Sequence, residues 1–371
     1  MRSSSSSPHR TASRLARLVA PLVAISIALP LVPQTQLRAT TQQTTPLQDD
    51  APYTLHVYAD LVQIPTLVLD ADLHPLPLIS IDQFNISLDS GQRFHPTQMR
   101  LEGDDPINLS IFLDLGGDGY DLQPSLTKYI AAFTSQSLQP HDHVSIYAID
   151  CTFRRTADNI PAGNADQIAR VLDALLDSPD LHGSATKGPG CPGTVHLWNA
   201  LGAIAKSMEH APGRRVIIAI TTGKDHKSSI KWNQLKRYAG SRSITIFGLS
   251  PLPRDGTKFH LALDTENPFN QLCQFTGGIV TVTAPLLLAT DLNYVLNLVR
   301  GRYILEFPRP DNGAAGAHSI YVTLATTDAF IRPAGISYPL PDPAALSDPS
   351  TIPSPPSPAV YGKRRNFANP N

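Results

Sequence analysis

From residue 107 onward, short apolar runs alternate with segments whose apolar residues recur every three or four positions. The runs are Ile107 to Leu113, Val144 to Ile149, Val216 to Ile220, Ile244 to Leu249 and Ile279 to Val282. Each is short and nearly continuous, as expected of a strand buried on both faces. Helical spacing fills the intervals: Leu122 to Ser137, Ala165 to Leu176, Val195 to Met208, Ile230 to Tyr238, Phe269 to Phe275 and Leu286 to Val299. Leu126, Ile130 and Phe133 share one helix face, and Ile168, Val171, Leu172 and Leu175 share another. This alternation predicts an open α/β domain, mostly parallel, with helices on both faces of the sheet, over residues 106–301.

The flanks have a different pattern. Tyr53 to Met99 has closely spaced apolar residues and turn signals at Asp70 to Asp72, His74-Pro75 and Asp89-Ser90-Gly91. A small β unit over 53–105 follows, too short to be comfortable alone and expected to pack on what comes next. Tyr303 to Phe307 and Ser319 to Leu324 read as a two-stranded C-terminal addition over 302–339, joined through the Asp311-Asn312-Gly313 region. From residue 340 to 371 Pro, Ser and Ala dominate, and a disordered or polyproline-like tail is expected.

Composition narrows the class. An apolar fraction of 42% supports a substantial core, and a formal net charge of -1 provides no global field for nucleic acid or an acidic membrane. Arg2, Arg10, Arg14 and Arg17 precede an apolar run from Leu18 to Val32, with Leu37-Arg38-Ala39 as a cleavage site. Residues 1–39 are therefore expected to be a signal peptide, followed by a Thr/Gln linker over 40–52. The competing reading is a retained anchor, which the shortness of the run and its Pro21 and Pro30 disfavour. Export makes an extracytoplasmic location the expectation, with no membrane span after cleavage. The three cysteines, Cys151, Cys191 and Cys273, allow at most one disulfide and form no Cys-x-x-Cys pair.

Ligands of open parallel sheets bind beyond the C-terminal strand ends. Three such ends carry polar residues: Asp114 to Gly119, Gly190 to Thr194, and Thr221 to Asp225. A strand ending in Asp, a Gly-Thr before a helix, and a strand ending in a Thr-rich Gly turn occur in the order of a von Willebrand factor A domain. The chain resembles more closely the exported von Willebrand factor A-related proteins of acidobacterial type. Val68 to Asp70, Asp82 to Phe84 and Asp89 to Gly91 match their lead-in, and Leu272 to Gly278 and Arg302 to Leu305 their later segments.

The resemblance implies a Rossmann-like sheet and a non-enzymatic binding module for an extracytoplasmic protein. It also implies a divalent metal, Mg²⁺ or Ca²⁺, held by oxygen ligands with one position left for a partner's carboxylate. Asp114 matches the first ligand, Gly116 supplies no side-chain oxygen, Asp118 replaces a Ser, and Thr194 matches the distant Thr. The distant Asp falls on Thr222, with Asp225 nearby and expected to point away. Two readings stay open: weak metal binding by Asp114, Asp118 and Thr194, or a degenerate metal-ion-dependent adhesion site that binds none. Thr222 and Asp225 are expected as loop contacts to the partner. Within this frame Cys151 and Cys191 fall near one sheet edge, and a Cys151–Cys191 disulfide is expected; Cys273 belongs to the core.

Other signals are weaker. His141-Asp142-His143 reads as a solvated turn, and Arg214-Arg215 as a solubilising basic pair. A dinucleotide-binding oxidoreductase is the alternative enzyme reading, from Gly117-x-Gly119 with Asp150 after the next strand; Leu122 stands where a third Gly belongs, and Asp118 would repel phosphate. A purely structural envelope scaffold is the alternative without a ligand.

Overall fold

The computed structural model describes residues 61–115, 123–149, 152–177, 196–252, 266–309, 316–325, 328–338 and 360–361. The expected signal peptide and linker, the Asp311 to Gly313 turn and most of the Pro-rich tail lie outside the described residues.

Elements follow in the order β1 (Leu61–Leu69), β2 (Phe84–Leu88), β3 (Arg93–Phe94), β4 (Gln98–Leu101), β5 (Ile107–Asp114), α1 (Gln123–Gln136) and β6 (His143–Ile149). Then come β7 (Phe153–Pro161), α2 (Ala165–Leu176), α3 (Leu197–Ser207), β8 (Arg214–Ile220), α4 (Trp232–Ser241), β9 (Ile244–Pro251), α5 (Pro268–Phe275) and β10 (Val280–Thr283). The chain continues with α6 (Leu288–Arg300), β11 (Tyr303–Pro308), β12 (Gly316–His318), β13 (Ile320–Leu324), β14 (Phe330–Pro333), β15 (Ile336–Tyr338) and β16 (Val360–Tyr361).

The central sheet has the order β10-β9-β8-β5-β6-β7. All its neighbours pair in parallel except β7, which runs antiparallel to β6. The expected fold class, an open mostly parallel sheet flanked by helices, is therefore what the chain adopts. Strand residues of opposite parity separate two cores. Leu109, Ile111, Leu113, Ile218 and Leu249 face α1, α2 and α6. Phe112, Ile217, Ala219 and Ile246 face α3, α4 and α5, where Leu201, Leu235 and Phe269 cover them. Cys273 is fully buried in this second core, and burial raises its thiol pKa well above the ordinary value.

Strand β7 was not expected. Its sequence is polar and its exposure alternates only loosely, because it is an edge strand with one face in water. Register shifts in its pairing with β6 weaken the period further.

The N-terminal β unit and the C-terminal β addition join. Strand β11 lies between β1 and β4, whereas β13 pairs with β2 in a different sheet. Tyr303 to Phe307 and Ser319 to Leu324 thus do not form a hairpin with each other; each finds a strand from the beginning of the chain. Ile64, Phe84, Ile86, Leu305 and Phe307 form a third core between these sheets, with Phe94 edge-on to Phe307 at 4.8 Å. In the tail expected to lack regular structure, Val360–Tyr361 pairs with β3.

Charged residues concentrate where this β layer meets the N-terminal ends of the parallel strands. Arg302 is 1% exposed and grips Glu102 through two bonds of 2.6 and 2.8 Å, while its Nη1 donates to Thr245 Oγ1 at 2.7 Å. Asp105 takes Arg100 at 2.8 Å and Arg214 at 3.1 Å. Burial alone would raise the Asp105 carboxyl, but these two arginines hold it below the ordinary value. Arg214 is only 18% exposed at its side chain, so it is part of this network rather than a solubilising surface group. Arg215 is half-buried, with its pKa lowered by burial and its Nη1 donating to the Glu209 carbonyl.

Asp142 corrects a second expectation. It is fully buried, not in a solvated turn, and accepts from Ile107 N at 2.9 Å, Gln139 N at 2.7 Å and Arg300 Nη2 at 2.6 Å. It thereby fixes the start of β5 and the turn before β6. Among the described residues no helix is long and apolar enough to cross a membrane.

Candidate functional site

Parity and register build a polar row at the C-terminal strand ends. Leu113 pairs with Ile220, and Ile220 with Leu249, so Asp114, Thr221 and Ser250 come next in three adjacent strands. All three fall on the face covered by α3, α4 and α5, because their even- or odd-numbered predecessors Phe112, Ala219 and Ile246 do. Asp114 is 5% exposed, and Thr221 and Ser250 are fully buried. Thr221 Oγ1 donates to Asp114 Oδ2 at 2.7 Å and accepts from Gly223 N at 3.2 Å. Gly223 has φ 74°, and a Cβ there would press into the Phe269 ring, so the turn out of β8 needs glycine on both counts. Ser250 Oγ has no hydrogen-bond partner among the described residues.

Thr221, not Thr222, is therefore the hydroxyl beside Asp114. Thr222 is one residue further on and half-buried. The strand register carried the signal: continuing the β5/β8 pairing by one residue places Thr221 opposite Asp114. Ser250 lies near the end of the next strand, beyond the three strand ends that motif order singled out.

Asp225 is committed elsewhere. Its Oδ1 accepts from Trp198 N at 3.2 Å and from Ser228 Oγ at 2.5 Å, and its Oδ2 accepts from Ser228 N at 3.2 Å. The carboxylate so sits at the N-terminus of α3, where unpaired N–H groups and the helix dipole favour negative charge. Asn199 adds a second tie, with its Oδ1 accepting from Ser229 Oγ and Ile230 N. The loop between β8 and α4 is thus pinned to the first turn of α3. Asp225→Ala should destabilise the fold by about 1–2 kcal/mol, the range for a lost helix cap. Hydrogen exchange should show the largest loss of protection at Trp198 and Ser228; unchanged protection there would refute the cap.

Asp118, Thr194, Cys151 and Cys191 lie outside the described residues, as do Gly117, Gly119 and Asp150 of the dinucleotide reading. Among the described residues no three His, Cys, Asp or Glu side chains group as they would around a metal. The fit to a divalent cation is poor on the described side: the third loop offers hydroxyls, and its carboxylate is engaged by a helix end. His196, His210 and His226 are exposed.

No protein-family model matches the sequence, and no curated protein matches it. Among solved structures the chain is similar to an aerotolerance-related membrane protein from Bacteroides fragilis NCTC 9343, at 15% identity and TM-score 0.37 over 52% of this chain and 98% of that one. It is similar to a von Willebrand factor type A protein from Catenulispora acidiphila, at 12% identity and TM-score 0.38 over 64% of this chain and 49% of that one. A third likeness is proximal thread matrix protein 1 from the mussel byssus, with a zinc-occupied MIDAS motif, at 11% identity and TM-score 0.37 over 54% and 49%. Likeness at this level transfers no residue role to this chain.

Proposed function

We propose that this chain is an exported, non-enzymatic binding module of von Willebrand factor A type, related to the acidobacterial group, which engages an extracytoplasmic protein through its strand-end loops. Its adhesion site is degenerate: Asp114 remains, but the position opposite it is held by a hydroxyl.

The observation that carries this reading is the Asp114–Thr221 bond together with the engagement of Asp225 by α3. A hard divalent cation is held by several oxygens, with carboxylates neutralising its charge. Here one carboxylate of the described strand ends faces the row, and a neutral hydroxyl already donates to it. The same bonds do serve a binding surface, because they fix the β8–α4 loop as a rigid platform. Mg²⁺ or Ca²⁺ would reach this site weakly at best, through Asp114 with Asp118 and Thr194. The Cys151–Cys191 bridge belongs to the same proposal and would brace two loops at one sheet edge.

The test is capture from a cell-envelope extract by immobilised full chain, with and without chelator. A specific protein should be retained equally in both conditions and lost on Thr222→Arg. Retention abolished by the chelator would contradict the degenerate site. Retention unchanged by Thr222→Arg would contradict the loop surface.

A further inference from the structure

The opposite end of the sheet carries a different feature. Helices in this fold run back against the strands, so the C-terminal ends of α4 and α5 lie near the N-terminal ends of the parallel strands. There, a cleft of about 510 Å³ opens between these helices and strands β13 and β14. Gly335 packs so closely on Gly240 that a Cβ on it would overlap the α4 backbone, and Ser243 Oγ donates to the Gly335 carbonyl at 3.0 Å. One end of the cleft is therefore fixed by backbone contact.

Three cations line it: Lys236 and Arg237 from α4, and Arg332 from β14. No Asp or Glu does. None of the three makes an ion pair among the described residues. Lys236 lies over the Phe275 ring at 4.5 Å, and Arg332 over Phe330 at 5.6 Å. The Arg332 Nε is buried with no hydrogen-bond partner among the described residues. Burial lowers the Arg332 pKa, which is the direction for a cation lacking a compensating anion. The guanidinium has one neutral partner, its Nη1 donating to the Ile331 carbonyl at 3.2 Å, and a carboxylate would supply the charged, bidentate partner it lacks.

Two further observations select among anions. Strands β13 and β14 are each the outermost strand of their sheet, so both present an unpaired edge among the described residues. Both run along the cleft. Apolar groups line the cleft beside the cations: Phe275, 57% exposed, and the half-buried Ile320 and Ile331. Sheet edges take extended chains, whose alternate side chains point to opposite sides.

We propose that this cleft binds an extended acidic segment of a partner protein, its carboxylates meeting Lys236, Arg237 and Arg332 and its apolar side chains meeting Phe275 and Ile331. The proposal is independent of the strand-end reading, since none of the residues it uses belongs to those loops.

The test is fluorescence anisotropy with the full chain and a labelled ten-residue peptide of alternating Glu and Val, against the same peptide with Gln for Glu. The Glu peptide should bind more tightly by at least about tenfold, and its affinity should fall as salt rises from about 50 to 200 mM. Lys236→Gln with Arg237→Gln, both on a helix surface and so compatible with folding, should weaken it about tenfold. Arg332→Gln should do the same while circular dichroism stays native. Equal affinity for the two peptides, no binding of the Glu peptide, or insensitivity to the Lys236 and Arg237 changes would overturn the proposal. Tighter binding of a single-stranded oligonucleotide through the same residues would also overturn it, by replacing the acidic peptide with nucleic acid.

Discussion

Glu102→Ala is expected to lower the stability of the folded chain by about 3–5 kcal/mol, the cost of leaving a buried charge without its partner. Arg302 is 1% exposed, so water cannot take over the bonds that Glu102 supplies at 2.6 and 2.8 Å. Thr245 would remain as its neutral partner, at 2.7 Å. The pair itself is weaker evidence for stability than its geometry suggests, because both charges are desolvated. Replacing both residues by Met should therefore recover most of the loss. Urea unfolding of the single and double variants measures this directly. A loss under about 1 kcal/mol for Glu102→Ala would show that Arg302 finds another partner.

The second large effect is expected at Asp142. Asp142→Ala removes the acceptor for two backbone N–H groups and for Arg300. Each buried donor left unsatisfied costs about 1–3 kcal/mol, so a loss of about 3–5 kcal/mol is expected. Arg300 keeps its bonds to the Gly103 and Asp105 carbonyls, at 2.9 and 2.7 Å, which limits the damage. Asp142→Asn separates shape from charge: it preserves an acceptor and should cost less than Asp142→Ala. Equal losses in the two variants would mean that the Arg300 ion pair, and not the backbone bonds, carries the effect.

These two residues also show where the sequence stops being legible. The parallel strands were readable because each is an apolar run buried on both faces, and the helices because their inward positions follow a 3.6-residue period. Asp142 was misread since nothing local marks a carboxylate as buried. Its partners Ile107 and Arg300 are far away in the chain. The same holds for Arg214, whose neighbours Asp105 and Gln63 come from the preceding β layer. Strand β7 was missed because an edge strand need not alternate cleanly. The pairing of β11 with β1 across more than two hundred residues leaves no local signature, whereas an adjacent hairpin would have.

The candidate site was legible in part. Asp114 could be found at the end of an apolar strand; motif order set Thr222 at the distant-Asp position, and it carries no information on which hydroxyl bonds to Asp114. Strand register points to Thr221, and that bond is what turns a general likeness of pattern into a specific claim about charge. The acidic residue nearest in the chain, Asp225, is absorbed by the N-terminus of α3.

Isothermal titration of the full chain with Mg²⁺, Ca²⁺ and Mn²⁺, repeated on Asp114→Ala, tests that claim most directly. Weak binding or none, at dissociation constants of about a millimolar or above, with little change on Asp114→Ala, is the predicted result. Binding at micromolar concentrations that Asp114→Ala abolishes would contradict it, and would make this chain a metal-dependent binder with an intact site.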